Sequence, residues 1–213
     1  MTLYFLYYLI NRKLSTYDEV IILKYRESGM PDETMWDTFF NPTDVLDKMN
    51  INNEVEVLVD IGCGYGTFLI SMAERVKEAI GIDIDDHMIS ICKSKINDNN
   101  IKNIELLNGD ISTAKTLNEL EKYKCSVDYI SLFNILHCEE PKELLENISR
   151  LLKDTGKIGI IHWKCEETPR GPSMEIRPNP EMIIDWASKT GFKLQKKVEL
   201  PPYHFGLIFS KVL

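Results

Sequence analysis

Apolar positions along this chain repeat with two periods that take turns. The unbroken run Val57-Leu58-Val59, closing on Asp60 and Ile61, reads as a central parallel strand covered on both faces. Directly after a glycine-rich turn, Leu69, Met72, Ala73 and Val76 recur at helical spacing. Ala79 to Asp83 then reads as a second buried strand. Met88, Ile89, Cys92 and Ile96 mark a helix that ends in the loop Asn97 to Asn100, and Ile104 to Asn108 form a third strand. A polar helix from about Thr116 to Lys124 leads into a fourth strand, Val127 to Phe133. The helix Pro141 to Leu152 points Leu144, Leu145, Ile148, Leu151 and Leu152 inward, and Lys153 to Gly156 turns into a fifth strand, Lys157 to His162. After a long polar loop, Trp163 to Pro178, a helix from Pro180 to Thr190 carries Ile183, Trp186 and Ala187. Phe192 to Leu200 and Phe205 to Val212 make a closing strand pair. Strands alternating with helices predict an α/β fold around a mostly parallel sheet.

The first fifty residues follow a different pattern. Leu3 to Ile10 is strongly apolar but falls far short of the roughly 20 residues that span a bilayer, so no stable membrane insertion is expected. It lacks the basic start and small-residue cleavage site of a signal peptide, since Arg12 and Lys13 follow the apolar run. A packed helix, a dimer contact, a start codon assigned too early and an interfacial anchor are the readings open to it. Asp32 to Phe40 reads as a short helix with Met35, Trp36, Phe39 and Phe40 on one side. A second helix begins at Asn41 as N-cap with Pro42 in its first turn, and turns Val45, Leu46 and Met49 inward. Residues 1–50 are therefore expected to be a helical segment, either core packing or a lid, and 51–213 the main domain.

Composition narrows the partners. A length of 213 residues suits one domain, and a net charge of -8 with pI near 5.1 gives no broad electrostatic footprint for nucleic acid. Lys189, Lys193, Lys196 and Lys197 could form a local basic patch, or a solvated helix end and strand edge. The cysteines Cys63, Cys92, Cys125, Cys138 and Cys165 are odd in number and lack C-x-x-C spacing, which speaks against a zinc site or a disulfide framework and for a reducing cytoplasm. No metal is expected.

The chemistry is concentrated in Asp60-Ile61-Gly62-Cys63-Gly64-Tyr65-Gly66-Thr67. A strand, a glycine turn and a helix N-terminus make a nucleotide site, because free amide N–H groups and the helix dipole point at the ligand. A dinucleotide fingerprint wants its last glycine in the sixth place of the motif, where this chain has Thr67; NAD is disfavoured on that ground. Asp60 suits a ligand with a positive amino group better than a pyrophosphate. Here the chain resembles the class I S-adenosylmethionine-dependent methyltransferases, in the small-molecule, UbiE-like manner, whose first motif has the form acidic-x-Gly-x-Gly-x-Gly. Asp83, at the end of the second strand and about 20 residues past the glycine turn, is where such a fold offers a carboxylate to ribose hydroxyls, with Asp85 as competitor. Asn108-Gly109-Asp110-Ile111 resembles the family's adenine-contacting motif.

The resemblance runs from about residue 51 to the C-terminus with every motif in order. It implies a Rossmann-like three-layer sandwich with a seven-stranded sheet whose last strand is antiparallel. It also implies S-adenosylmethionine as cofactor, held by Asp60, Gly62, Gly64, Gly66, Asp83, Asp110, Ile111 and Asn134, and a small-molecule acceptor. The Asn/Asp-Pro-Pro-Tyr turn of methyltransferases acting on exocyclic or amide nitrogens is missing after the fourth strand, and Pro201-Pro202-Tyr203 falls too late to replace it. Methyl transfer needs proximity, orientation and sometimes a base. His137, His162 and His204 are base candidates, with His137 preferred because it directly follows the fourth strand. Trp36 is expected beside the substrate, and Arg170 and Arg177 are candidates to clamp an anionic acceptor by their fork geometry. A protein or RNA methyltransferase and a non-catalytic S-adenosylmethionine-binding protein are the alternatives.

Overall fold

The computed structural model describes residues 33–36 and 38–212, so the apolar run Leu3 to Ile10 lies outside the described residues. The chain runs α1 (Glu33–Trp36), α2 (Pro42–Lys48), β1 (Val57–Ile61), α3 (Thr67–Ala73), β2 (Glu78–Asp83), α4 (Asp86–Asp98), β3 (Ile104–Asn108) and α5 (Ala114–Glu119). It continues with β4 (Val127–Phe133), α6 (Pro141–Ser149), β5 (Leu152–Trp163), α7 (Pro180–Lys189), β6 (Phe192–Leu200) and β7 (His204–Lys211). The strands form one seven-stranded sheet in the order β3-β2-β1-β4-β5-β7-β6. Pairing is parallel from β3 through β5, while β7 lies antiparallel between β5 and β6.

Period-two alternation sends successive side chains to opposite faces of the sheet, and both faces are apolar, as a covered parallel sheet requires. Leu58, Ala79, Tyr129, Phe133 and Ile161 pack with α2, α3 and α4. Val59, Ile80, Ile130, Leu132 and Ile160 pack with α6 and α7. Tyr129 reaches furthest, its hydroxyl donating to the Met49 carbonyl at 2.8 Å just past α2. The space for its ring exists because residue 159 is glycine: a Cβ there would stand 2.0 Å from the Tyr129 hydroxyl.

Four boundaries differ from the sequence expectation. The helix expected over Asp32 to Phe40 is one turn, because Thr38 N–H closes back on the Met35 carbonyl; Met35 is exposed while Phe39 and Phe40 are buried. The polar helix starts earlier, at Ala114, since Thr113 caps it by accepting from Thr116 N–H, and a separate 3-10 turn covers Glu121–Tyr123. Helix α6 stops at Ser149 because the Leu151 carbonyl is taken by the Ser126 and Val127 amides, which draws Leu152 into the sheet opposite Val127. The register then jumps to Tyr129 opposite Lys157, so the expected turn Lys153 to Gly156 is an irregular excursion within β5. Asn41 caps α2 as expected, accepting from Asp44 N–H.

Strand order reverses between β1 and β4, and crevices at the carboxyl ends of strands at such a switch point are where open α/β sheets bind ligands.

Candidate active site

A cleft of about 1060 Å³ opens at that switch point, bounded by the ends of β1, β2 and β4 and by Trp36. Its floor is the glycine turn. Gly62 and Gly64 have φ of 77° and 53°, a conformation other residues adopt only with strain, and a Cβ on Gly62 would lie 2.5 Å from Ile135 Cγ2. A ligand can therefore approach the backbone there. Gly66, also expected at the cofactor, is instead the N-cap of α3, where a Cβ would meet the Cys92 thiol at 2.6 Å. The cleft lining includes Gly62 and Gly64 but not Gly66.

Asp60, Asp83, Asp110, Ile111 and Asn134 all line the cleft, as does Trp36. Asp83 holds the turn: its Oδ2 accepts from Gly64 N–H at 2.8 Å and its Oδ1 from Asp85 N–H at 2.9 Å. Each oxygen keeps a further lone pair for a ligand hydroxyl. Burial pushes the Asp83 carboxyl upward, against the lowering effect of those two N–H groups. Asp85 is committed to α4, accepting from His87 and Met88 N–H as its N-cap. Asp110 folds its own turn, accepting from Ser112 N–H and hydroxyl.

Asp60 is only 3% exposed. Burial pushes its carboxyl up to about 7, against the Ser131 hydroxyl that donates to it at 2.6 Å. A carboxylate in this position is complementary to a cation. Asn134 has φ of 60°, and both polar atoms of its side chain are buried without a partner among the described residues. Such an orphaned amide is costly unless a ligand completes it.

Of the three histidines only one lines the cleft. His137 lines the cleft, its Nδ1 buried without a partner, and its ring centre is 5.5 Å from that of His162 behind it. His204 packs against Trp163 and Phe40, with ring centres 4.1 and 4.5 Å away. Burial, then the Arg177 charge, pulls His137 down to about 4; burial, then Arg177 and Lys164, pulls His204 to about 3, and burial holds His162 well below its ordinary value. All are neutral near pH 7. Among the described residues no group of three or more His, Cys, Asp or Glu is arranged to hold a metal.

Neither arginine candidate reaches the cleft lining. Arg177 is buried and turned into its own loop, donating to the carbonyls of Pro172, Lys164 and Glu166 at 2.7 to 3.3 Å. Its guanidinium lies 5.7 Å from the Trp163 ring centre, and Gly171 packs against the same indole. Arg177 thus braces the loop behind a cleft wall. Arg170 is exposed on a separate shallow hollow of about 380 Å³, beside Glu166 and Glu167. Residues not singled out from sequence also shape the cleft. Ile84, half exposed, and Met88 lie beside Asp83, and Phe68, Phe133 and Trp163 form an aromatic wall. Their common signal is position, at or just past the carboxyl end of a strand or in the first helical turn.

Residues 52–199 match the family model described as "Methyltransferase domain". The chain belongs to the methyltransferase-domain family. A probable cobalt-precorrin-6B C(15)-methyltransferase (decarboxylating) of Methanocaldococcus jannaschii is 36% identical over 156 residues, covering 65% of this chain and 83% of that one. A demethylmenaquinone methyltransferase of Oceanobacillus iheyensis is 30% identical over 122 residues, 55% of this chain and 48% of its own length. The chain thus spans about half the length of the demethylmenaquinone methyltransferases it matches. Among solved methyltransferase structures, a SAM-dependent methyltransferase from Aquifex aeolicus superposes with a TM-score of 0.73 at 26% identity, covering 82% of this chain and 91% of that one.

Proposed function

We propose that this chain transfers the methyl group of S-adenosylmethionine to a small-molecule acceptor held between the glycine turn, the end of β4 and Trp36. The observation that carries the reading is the gathering in one cleft of Asp60, Gly62, Gly64, Asp83, Asp110, Ile111 and the orphaned Asn134. When bound, the cofactor supplies a methyl group on a sulfonium, open to in-line displacement by an acceptor lone pair as the carbon–sulfur bond breaks. In this reading Gly62 and Gly64 admit the ligand to the backbone, Asp83 accepts from the ribose hydroxyls, Asp110 and Ile111 bound the adenine, and Asp60 meets the ammonium. Asn134 borders the cofactor at the end of β4. The cleft volume lies just above the roughly 300–1,000 Å³ usual for one ligand, which suits a cofactor with a small acceptor.

His137 works here as a neutral hydrogen-bond acceptor that orients the acceptor group; at about 4 it is a weak base near pH 7. Trp36 walls the acceptor side, with the described residues before 51 as a covering segment and 51–213 as the methyltransferase domain. Cysteines that are all unpaired support a cytoplasmic setting. No helix among the described residues is long and apolar enough to cross a membrane. The test is thermal shift with S-adenosylhomocysteine and with NAD, followed by transfer of tritiated methyl groups to fractionated small-molecule extract. The reading expects a shift with S-adenosylhomocysteine alone. A shift with NAD only, or label appearing only in protein or RNA, would refute it.

A further inference from the structure

The cleft is acidic at both ends. Asp60, Asp83, Asp85 and Asp110 line the end assigned to the cofactor, while Glu139, Glu140 and Glu143 line the end beyond β4. No lysine or arginine lines it among the described residues; Arg177 stands behind Trp163 with its donors on carbonyls, and Lys142, between the glutamates in sequence, is not part of the lining. Glutamates beside a helix N-terminus ordinarily serve the helix. Here Glu140 is the N-cap of α6 yet makes no side-chain capping bond, and Pro141 occupies the first helical position. Glu140 and Glu143 are both exposed. Trp36, Phe68, Phe133 and Trp163 give the same cleft an aromatic lining. Set into this end is His137, 5% exposed and neutral, with Nδ1 lacking a partner among the described residues.

Such a lining repels carboxylates and phosphates and attracts cations, whose approach to aromatic faces is itself favourable. We propose that the acceptor is an amine on an aromatic or similarly flat apolar body, drawn in as a cation by Glu140 and Glu143 and seated against the aromatic wall, with His137 accepting a hydrogen bond from it. This rests on the methyl-transfer reading above. It excludes the anionic acceptor that Arg170 and Arg177 would have required. An ammonium has no free lone pair, so it releases one proton to water at the acidic mouth before it can accept a methyl group.

The test is binding to the protein already saturated with S-adenosylhomocysteine, followed by quenching of tryptophan fluorescence, since Trp36 and Trp163 line the cleft. Phenethylamine and phenylacetate, equal in ring and similar in length, are the probes. The amine should bind at least about tenfold more tightly, and the difference should shrink as salt is added. In the doubly substituted E140Q/E143Q protein the preference should fall to near unity, with the affinity for S-adenosylhomocysteine unchanged by calorimetry. Equal or tighter binding of phenylacetate, no binding of either probe, or a preference that survives in the double variant would overturn the proposal. Failure of S-adenosylhomocysteine itself to bind would sink the methyl-transfer reading, and the acceptor assignment with it.

Discussion

Replacing Asp60 by asparagine should make the ligand-free protein more stable at alkaline pH while weakening its hold on the cofactor. The buried carboxyl is raised from an ordinary 3.8 to about 7. Between those values the folded state binds more protons than the unfolded state, so this group's contribution is complete below pH 3.8 and is lost as pH rises through 7. At about 1.36 kcal/mol for each pH unit, the ionised carboxylate costs roughly 4 kcal/mol at pH 8. With Asp60 only 3% exposed, solvent screening removes little of that. Asparagine keeps an oxygen for the Ser131 hydroxyl but buries an amide N–H₂, at a cost of about 1–3 kcal/mol. The net gain at pH 8 is therefore about 1–3 kcal/mol, and the more telling quantity is the slope. Urea unfolding of both proteins from pH 5 to pH 8 should show the variant gaining on the wild type by about 1.4 kcal/mol for each pH unit, levelling off above 7. Calorimetry should show S-adenosylhomocysteine binding at least tenfold more weakly, about 1.4 kcal/mol. A stability difference that does not change with pH would refute the account of Asp60 as a buried carboxylate awaiting a cation.

Asp83→Asn should weaken S-adenosylhomocysteine binding by about 1–3 kcal/mol in calorimetry, because the amide replaces an acceptor of Gly64 or Asp85 N–H and removes the charge offered to the ligand hydroxyls. An unchanged dissociation constant would return Asp83 to a purely loop-holding role. Arg177→Lys should lower unfolding free energy by about 2–3 kcal/mol in urea titrations, since one ammonium cannot satisfy three carbonyls spread along the loop, while Arg170→Lys should leave it unchanged. Falling pH should destabilise the protein through His137 and His204: their depressed values mean that stability is complete above 6.5 and lost as pH drops toward about 4 and 3. Conversion of His204 to Gln should therefore flatten the acid limb of a Tm-against-pH profile; an unchanged limb would contradict the burial argument.

The strands were legible because a parallel sheet covered on both faces needs uninterrupted apolar runs, and β3, β4 and β6 begin and end where those runs do. Asp83 and the glycine turn were legible for a related reason: their spacing follows from one helix connecting two adjacent strands. What periodicity could not show was where competing hydrogen bonds end an element. Leu152 fits a helix stripe as well as a strand, and only the Leu151 carbonyl's partners across the sheet decide between them. Arg177 was misplaced because a cation in a polar loop looks alike whether it faces a ligand or its own backbone carbonyls. Glu140 and Glu143 looked like ordinary residues at a helix start, and their place in the cleft depends on how α6 meets the end of β4.

The Tyr129 ring and the missing side chain at Gly159 share one volume inside the sheet, and the phenol that fills it fastens the end of α2 to the central strand. Substitutions at the two positions are therefore sterically coupled. A lineage in which Gly159 acquires any side chain must first trade its tyrosine for something smaller, and in doing so it gives up the tether to Met49. The placing of the α2 end, and with it the N-terminal side of the cleft, thus depends on a pair of residues on β4 and β5 that do not line the cleft.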